Sequence, residues 1–111
     1  MRRPRPLHVI IEQQKRHAEV KEILRKAINR ELARAHGHLV TVSIRKLSIW
    51  YPELQKYPLT VRTKALKELI QQEYAEYFIM EWNERVNSDK RYILLRNPQE
   101  REKVLKILNP L

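Results

Sequence analysis

No cysteine occurs anywhere in the 111-residue chain. That excludes disulfides, thiolate metal sites and cysteine nucleophiles, and it is compatible with a reducing cytoplasm. Glycine occurs once, which argues against glycine-rich phosphate loops and against a turn-rich all-β fold. No apolar run exceeds four residues (Tyr-Phe-Ile-Met at 77–80 is one), so nothing here spans a membrane. The basic N-terminus leads into no apolar stretch of signal-peptide length. Asp89 is the only aspartate. Glu73, Glu76, Glu81 and Glu84 lie close in sequence, yet no base or pocket residue pairs with them, so no catalytic residue and no cofactor is expected. His36-Gly37-His38 lacks the thiolate or neighbouring carboxylate that would complete a metal site. A helix end followed by a strand start explains it better.

What the chain has is positive charge, +10 at pH 7, unevenly placed. Residues 1–36 carry 10 Lys and Arg against 4 Glu, and residues 37–72 carry 6 against 2. Residues 73–111 balance at 7 against 7. A one-sided basic field is the footprint of a polyanion, nucleic acid before membrane. Abundant Glu, Lys, Arg and Ile without cysteine would also suit a thermophile.

The length suits one domain, residues 7–111, behind a basic flexible arm at 1–6. Two prolines keep that arm extended, and Arg2, Arg3 and Arg5 can then follow phosphates or enter a minor groove. From Leu7 to His36 the pattern is helical, with Val20, Ile23, Leu24, Ala27, Ile28, Leu32 and Ala35 at three- and four-residue steps. Gly37 follows, where a left-handed C-cap is expected. The stretch Glu12 to His17 is polar on every side, so a helix reaching that far projects from the domain and needs something to cover Val9, Ile10 and Ile11. A homodimer through this helix would supply it, and so would the C-terminal segment of the same chain.

Residues 38–42 suit a short strand. Ser43 can cap a helix from Ile44, with Ile44, Leu47 and Ile49 or Trp50 inward and Arg45 and Lys46 outward. Pro52 ends it. Residues 60–72 form the stretch on which the functional reading turns. Val61, Ala65, Leu66, Leu69 and Ile70 share one helical side, and Thr60, Thr63, Lys64, Lys67 and Gln71 the other. Thr60 is the expected N-cap. Arg62 leans toward the apolar side, which leaves it at best a first-turn phosphate contact. Beyond Gln72 two readings stand. Aromatic and aliphatic runs around an Asn-Ser-Asp turn suit a β-hairpin, with Phe78, Met80 and Trp82 on one face. Leu66, Leu69, Ile70, Tyr74, Tyr77, Phe78, Trp82 and Val86 also keep helical spacing, which suits an all-α helical bundle with one helix over 60–86. Pro98 starts a last helix, Gln99 to Leu108, with Val104, Leu105 and Leu108 as its apolar side, ended by Asn109 and Pro110.

With the hairpin, the order over residues 18–108 resembles the winged-helix (winged helix-turn-helix) fold, mainly α with a small β-hairpin, of the MarR and PadR type of DNA-binding regulator. The residues carrying the resemblance are Val-Thr-Val-Ser-Ile-Arg-Lys-Leu at 40–47, Leu-Thr-Val-Arg-Thr-Lys-Ala-Leu-Lys-Glu-Leu at 59–69 and Ser-Asp-Lys-Arg-Tyr-Ile-Leu-Leu at 88–95. Such folds usually carry a glycine after the recognition helix, where this chain has Glu73 and Tyr74. The resemblance implies that the 60–72 helix enters a major groove, with Lys64 and Lys67 toward guanine edges or phosphates and Gln71 toward adenine. Lys90 and Arg91 would be backbone contacts at a wing tip.

The expected function is therefore a small double-stranded-DNA-binding transcription regulator, cytoplasmic, with RNA a further candidate partner. The rival is a structural nucleoprotein component: a ribosomal, chromatin or viral nucleocapsid protein. A third reading is a protein-interaction module whose charge is incidental.

Overall fold

The computed structural model describes residues 7–82 and 90–108. The arm with Arg2, Arg3 and Arg5, the turn within 83–89, Val86, the stop at Asn109 and Pro110 and the side chain of Val9 lie outside the described residues. The chain runs α1 (Leu7–Arg34), β1 (Leu39–Ser43), α2 (Ile44–Trp50), a 3₁₀ helix (Pro52–Lys56), α3 (Leu59–Gln72), β2 (Phe78–Trp82), β3 (Arg91–Leu95), a second 3₁₀ turn (Pro98–Glu100) and α4 (Arg101–Leu108). It is mainly helical with one small antiparallel sheet, in strand order β1-β3-β2. None of the described helices is long and apolar enough to cross a membrane.

Two apolar stripes make the core. Val20, Leu24, Ala27 and Ile28 of α1 are fully buried, as are Ala65, Leu66, Leu69 and Ile70 of α3. Both sets recur at three- and four-residue steps, so each helix has one apolar side and the two sides close on each other. At 28 residues α1 is about 42 Å long at 1.5 Å per residue, against a longest dimension of 56 Å for the molecule. Its first turns overrun the core: residues 10–16 are exposed, Ile10 and Ile11 included.

The sheet closes the other side of the core. Val40 and Val42 pair with Leu94 and Tyr92, and all four are buried. Ser43 ends β1 in extended geometry and caps α2, its hydroxyl accepting from the Lys46 N–H at 3.2 Å. Tyr51 is non-helical, as a residue before proline should be. The connector from Pro52 is a 3₁₀ helix that sends Leu54 into the core. It is structured because that leucine is fully buried.

The structure corrects several expectations. α3 begins at Leu59 with Pro58 as a cap that offers no side-chain bond, so Thr60 sits inside the first turn. Pro58 lacks an N–H and its fixed φ suits a helix start, which moves the N-cap two residues toward the N-terminus, from Thr60 to Pro58. Ile49 and Trp50 do not point inward: they are 63% and 50% exposed. The short α2 buries Ile44 and Leu47, as their spacing expects, and Ser48 completes its inner side. α1 stops at Arg34, and Gly37 has no positive φ. Phe78, Met80 and Trp82 do not share a face. A bulge between Phe78 and Met80 sets Phe78 against buried Leu94, while Met80 and Trp82 oppose Ile93 and Arg91. In α4 only Val104 is buried, with Leu105 and Leu108 exposed.

The all-α alternative is overturned, because α3 ends at Gln72. Neither glycine nor proline stops it. The Tyr74 N–H bonds the Leu69 carbonyl, already the acceptor for Glu73, so the helical ladder slips. Buried Tyr74 donates its hydroxyl to Asn29 Oδ1 of α1 at 2.6 Å, and the Glu73 carboxylate is gripped at both oxygens by Arg25, at 2.7 Å each. Arg101 of α4 donates to the Ala75 and Glu76 carbonyls of the following turn. Long-range bonds to α1 and α4 hold the break open.

Gly37 provides a direct check. A Cβ there meets nothing within 4 Å and the backbone is not left-handed. Gly37→Ala should therefore be neutral or stabilise by about 0.4–1 kcal/mol in chemical denaturation, through the unfolded chain. A loss of stability would restore the left-handed cap.

Candidate nucleic-acid interface

Charge on this molecule is sorted by which helix face carries it. The inner flank of α3 bears Glu68, and the residue after α3 is Glu73. Glu68 accepts from His17 Nε2 at 2.6 Å and from Lys21 Nζ at 3.0 Å. Because a carboxylate only accepts, the proton of this bond sits on the histidine nitrogen. Lys21 also reaches Gln72 at 3.4 Å. Arg25 joins Glu73 to Glu22. His17, Lys21 and Arg25 of α1 thus face acids at the seam with α3. These bonds hold both carboxyls below the usual carboxylate range, Glu68 through His17 first and then Lys21, and Glu73 through Arg25. Burial pushes the Tyr51, Tyr57 and Tyr74 hydroxyls up.

The outer side of α3 is different. Thr60, Thr63, Lys64, Lys67 and Gln71 are all exposed. Lys64, Lys67 and Gln71 make no hydrogen bond or ion pair among the described residues. Thr60, Lys64, Lys67 and Gln71 follow one another at four-, three- and four-residue steps, a single stripe along the helix. The Thr63 hydroxyl donates to the Leu59 carbonyl at 2.8 Å, so it retains acceptor capacity only.

Arg62 is not on this stripe. It is half-buried, donating to the Tyr57 carbonyl at 3.0 Å and to Ser48 Oγ at 2.8 Å. The guanidinium ties α2, the segment ending at Tyr57 and α3 together, with its Nε and Nη1 donors committed to those contacts. Arg45 and Lys46 lie on the exposed side of α2, where Lys46 Nζ sits 4.6 Å above the Trp50 ring. At the hairpin, half-buried Lys90 lies 3.6 Å from Glu81, and Arg91 covers the Trp82 ring at 5.3 Å. A cation paired with a carboxylate is a weaker phosphate contact than the wing-tip reading of Lys90 requires. Arg2, Arg3 and Arg5 are outside the described residues.

Sequence reasoning passed over Arg30 and Arg34. Both are exposed, one turn apart at the C-terminal end of α1, with no hydrogen bond or ion pair among the described residues. Their i,i+4 spacing was the available signal. His38 Nδ1 lies 3.1 Å from Glu100, and no described group of three or more His, Asp or Glu is placed to hold a metal. Compared with known proteins, the chain matches no family model, no curated protein and no solved structure.

The lowered Glu68 carboxyl stabilises the fold above the ordinary glutamate range, and that contribution is lost as pH falls through its folded value. Wild type should therefore melt above Glu68→Gln at neutral pH, with the gap in Tm closing in acid. A gap constant across pH would mean that the seam does not depend on this charge. Arg62→Ala should lower stability by about 1–3 kcal/mol, because Ser48 and the Tyr57 carbonyl lose their donor. It should leave the salt dependence of nucleic-acid binding unchanged, and a flatter slope would return Arg62 to the contact surface.

Proposed function

We propose that this chain is a winged helix-turn-helix protein that sets α3 in the major groove of double-stranded DNA, most simply as a transcription regulator acting in the cytoplasm on the nucleoid. The observation that carries the reading is the unneutralised outer stripe of α3. Its neighbouring acids, Glu68 and Glu73, are turned to α1, so Lys64 and Lys67 keep their charge for a partner. Element order supports the fold reading: a strand precedes α2 and α3, and the two strands that follow pair with it in a β1-β3-β2 sheet. Exposed Ile10 and Ile11 support pairing of two copies through α1.

One observation favours the rival, a structural nucleoprotein. The stripe holds one amide and no guanidinium, because Arg62 is taken into the core contacts. Lysine is a point charge that neutralises phosphate well but lacks the arginine fork that reads guanine bidentately.

Selection from random duplexes, followed by Lys67→Ala/Gln71→Ala, separates the two. Both residues are exposed, so the fold should hold within about 1 kcal/mol. A reader of sequence should yield an enriched site, and the double variant should lose about 1–3 kcal/mol of discrimination per lost base contact while non-specific affinity falls less. If no sequence is enriched and affinity drops uniformly, the regulator reading gives way to the structural one.

A further inference from the structure

Away from the α3 stripe, a cleft of about 410 Å³ opens between the end of α1, β1 and α2. Arg34, His36, Thr41, Lys46 and Glu31 are among its lining residues. Its walls are mostly polar and one side is open to solvent. A pocket for a free small ligand is typically enclosed and mostly apolar, so this cleft is poorly built for one. An open polar cleft suits a charged group carried past it on a polymer.

Its charge has a definite sign. Arg34 and Lys46 are cations with no ion pair among the described residues. Lys46 is held over Trp50 at 4.6 Å, a contact that orients the ammonium without neutralising it. The one acid, Glu31, accepts from the Tyr51 hydroxyl at 3.3 Å. Thr41 is exposed and adds a hydroxyl. Guanidinium, ammonium and hydroxyl are the donors that phosphate oxygens take.

The placement connects the cleft to α3 through α2. Lys46 lines the cleft, and Ser48, two residues on, holds Arg62 of α3. A helix is about 10–12 Å across with its side chains, close to the roughly 12 Å width of a B-DNA major groove. We propose that this cleft takes a backbone phosphate flanking the groove that α3 enters. The assignment rests on the nucleic-acid reading above and extends its footprint to the end of α1.

The test measures binding to a random-sequence duplex across a salt series. It uses the wild type, Arg34→Ala/Lys46→Ala, and a control that removes two charges from α4, Lys103→Ala/Lys106→Ala. If the cleft double variant does not melt as the wild type does, Arg34→Gln alone replaces it. The cleft variant should flatten the slope of log K against log salt by up to ~1.8, at ~0.9 per phosphate contact, with the loss uniform across sequences. The control should change it by less than half as much. Equal flattening by the control would show a diffuse field and overturn the cleft. Pyrophosphate titrated into the free protein supplies the other arm. If it shifts the Thr41 and Lys46 amides saturably while the cleft variant keeps the wild-type slope, the cleft takes a free anion and the backbone assignment falls. If wild type binds duplex and the cleft variant does so with the same slope, only the cleft proposal falls. If wild type binds no nucleic acid, both readings fall.

Discussion

The seam between α1 and α3 is the constraint on which the rest of this molecule depends. Its centre is apolar, Leu24 and Ile28 against Leu66 and Leu69, and supplies the burial that a small domain needs. Its edge is ionic and sets geometry more than energy. Ion pairs this exposed contribute modestly to stability. The two-point grip of Arg25 on Glu73, with Tyr74 bonded to Asn29, nevertheless decides where α3 stops. Had α3 continued, Phe78 would lie on a helix and the sheet would lose its third strand.

The same seam shapes the outer surface. Drawing Glu68 and Glu73 toward His17, Lys21 and Arg25 removes the acids from the side of α3 that faces water. An amphipathic helix is usually described by where its apolar residues go. Here the charged residues are divided as well, acids on the flank toward α1 and lysines on the far side. The basic excess of the N-terminal third is correspondingly reduced at the surface, since part of it is matched at the seam. The unmatched remainder includes Arg30 and Arg34, at the end of α1 beyond the reach of α3's acids.

The aromatic residues show how little exposure follows from residue type. Tyr74 and Tyr92 are buried, while Trp50 and Trp82 remain half open. Each tryptophan carries a cation over its ring, Lys46 and Arg91 respectively. An exposed indole beside a cation is a surface feature that a periodicity argument assigns to the core. That is how spacing alone turns Trp50 inward on α2, where the structure leaves it half open.

Much was legible in the residues alone. The α1 and α3 stripes, the Ser43 cap, the break before Pro52 and the exposed row of Thr60, Lys64, Lys67 and Gln71 all follow from local rules. Spacing, hydroxyl caps and proline geometry act within a few residues and leave their mark on the chain itself. Composition likewise determined the absence of thiol chemistry and the direction of the net charge. The choice between hairpin and long helix was not available at that level, because residues 77–82 suit a strand and also continue the helical spacing that begins at Leu66. Nor was the role of Arg62, whose partners Ser48 and Tyr57 lie outside its own helix. Only the tertiary structure decided these, since the atoms that settle them are 5 to 49 residues away in sequence and become neighbours only when the elements pack.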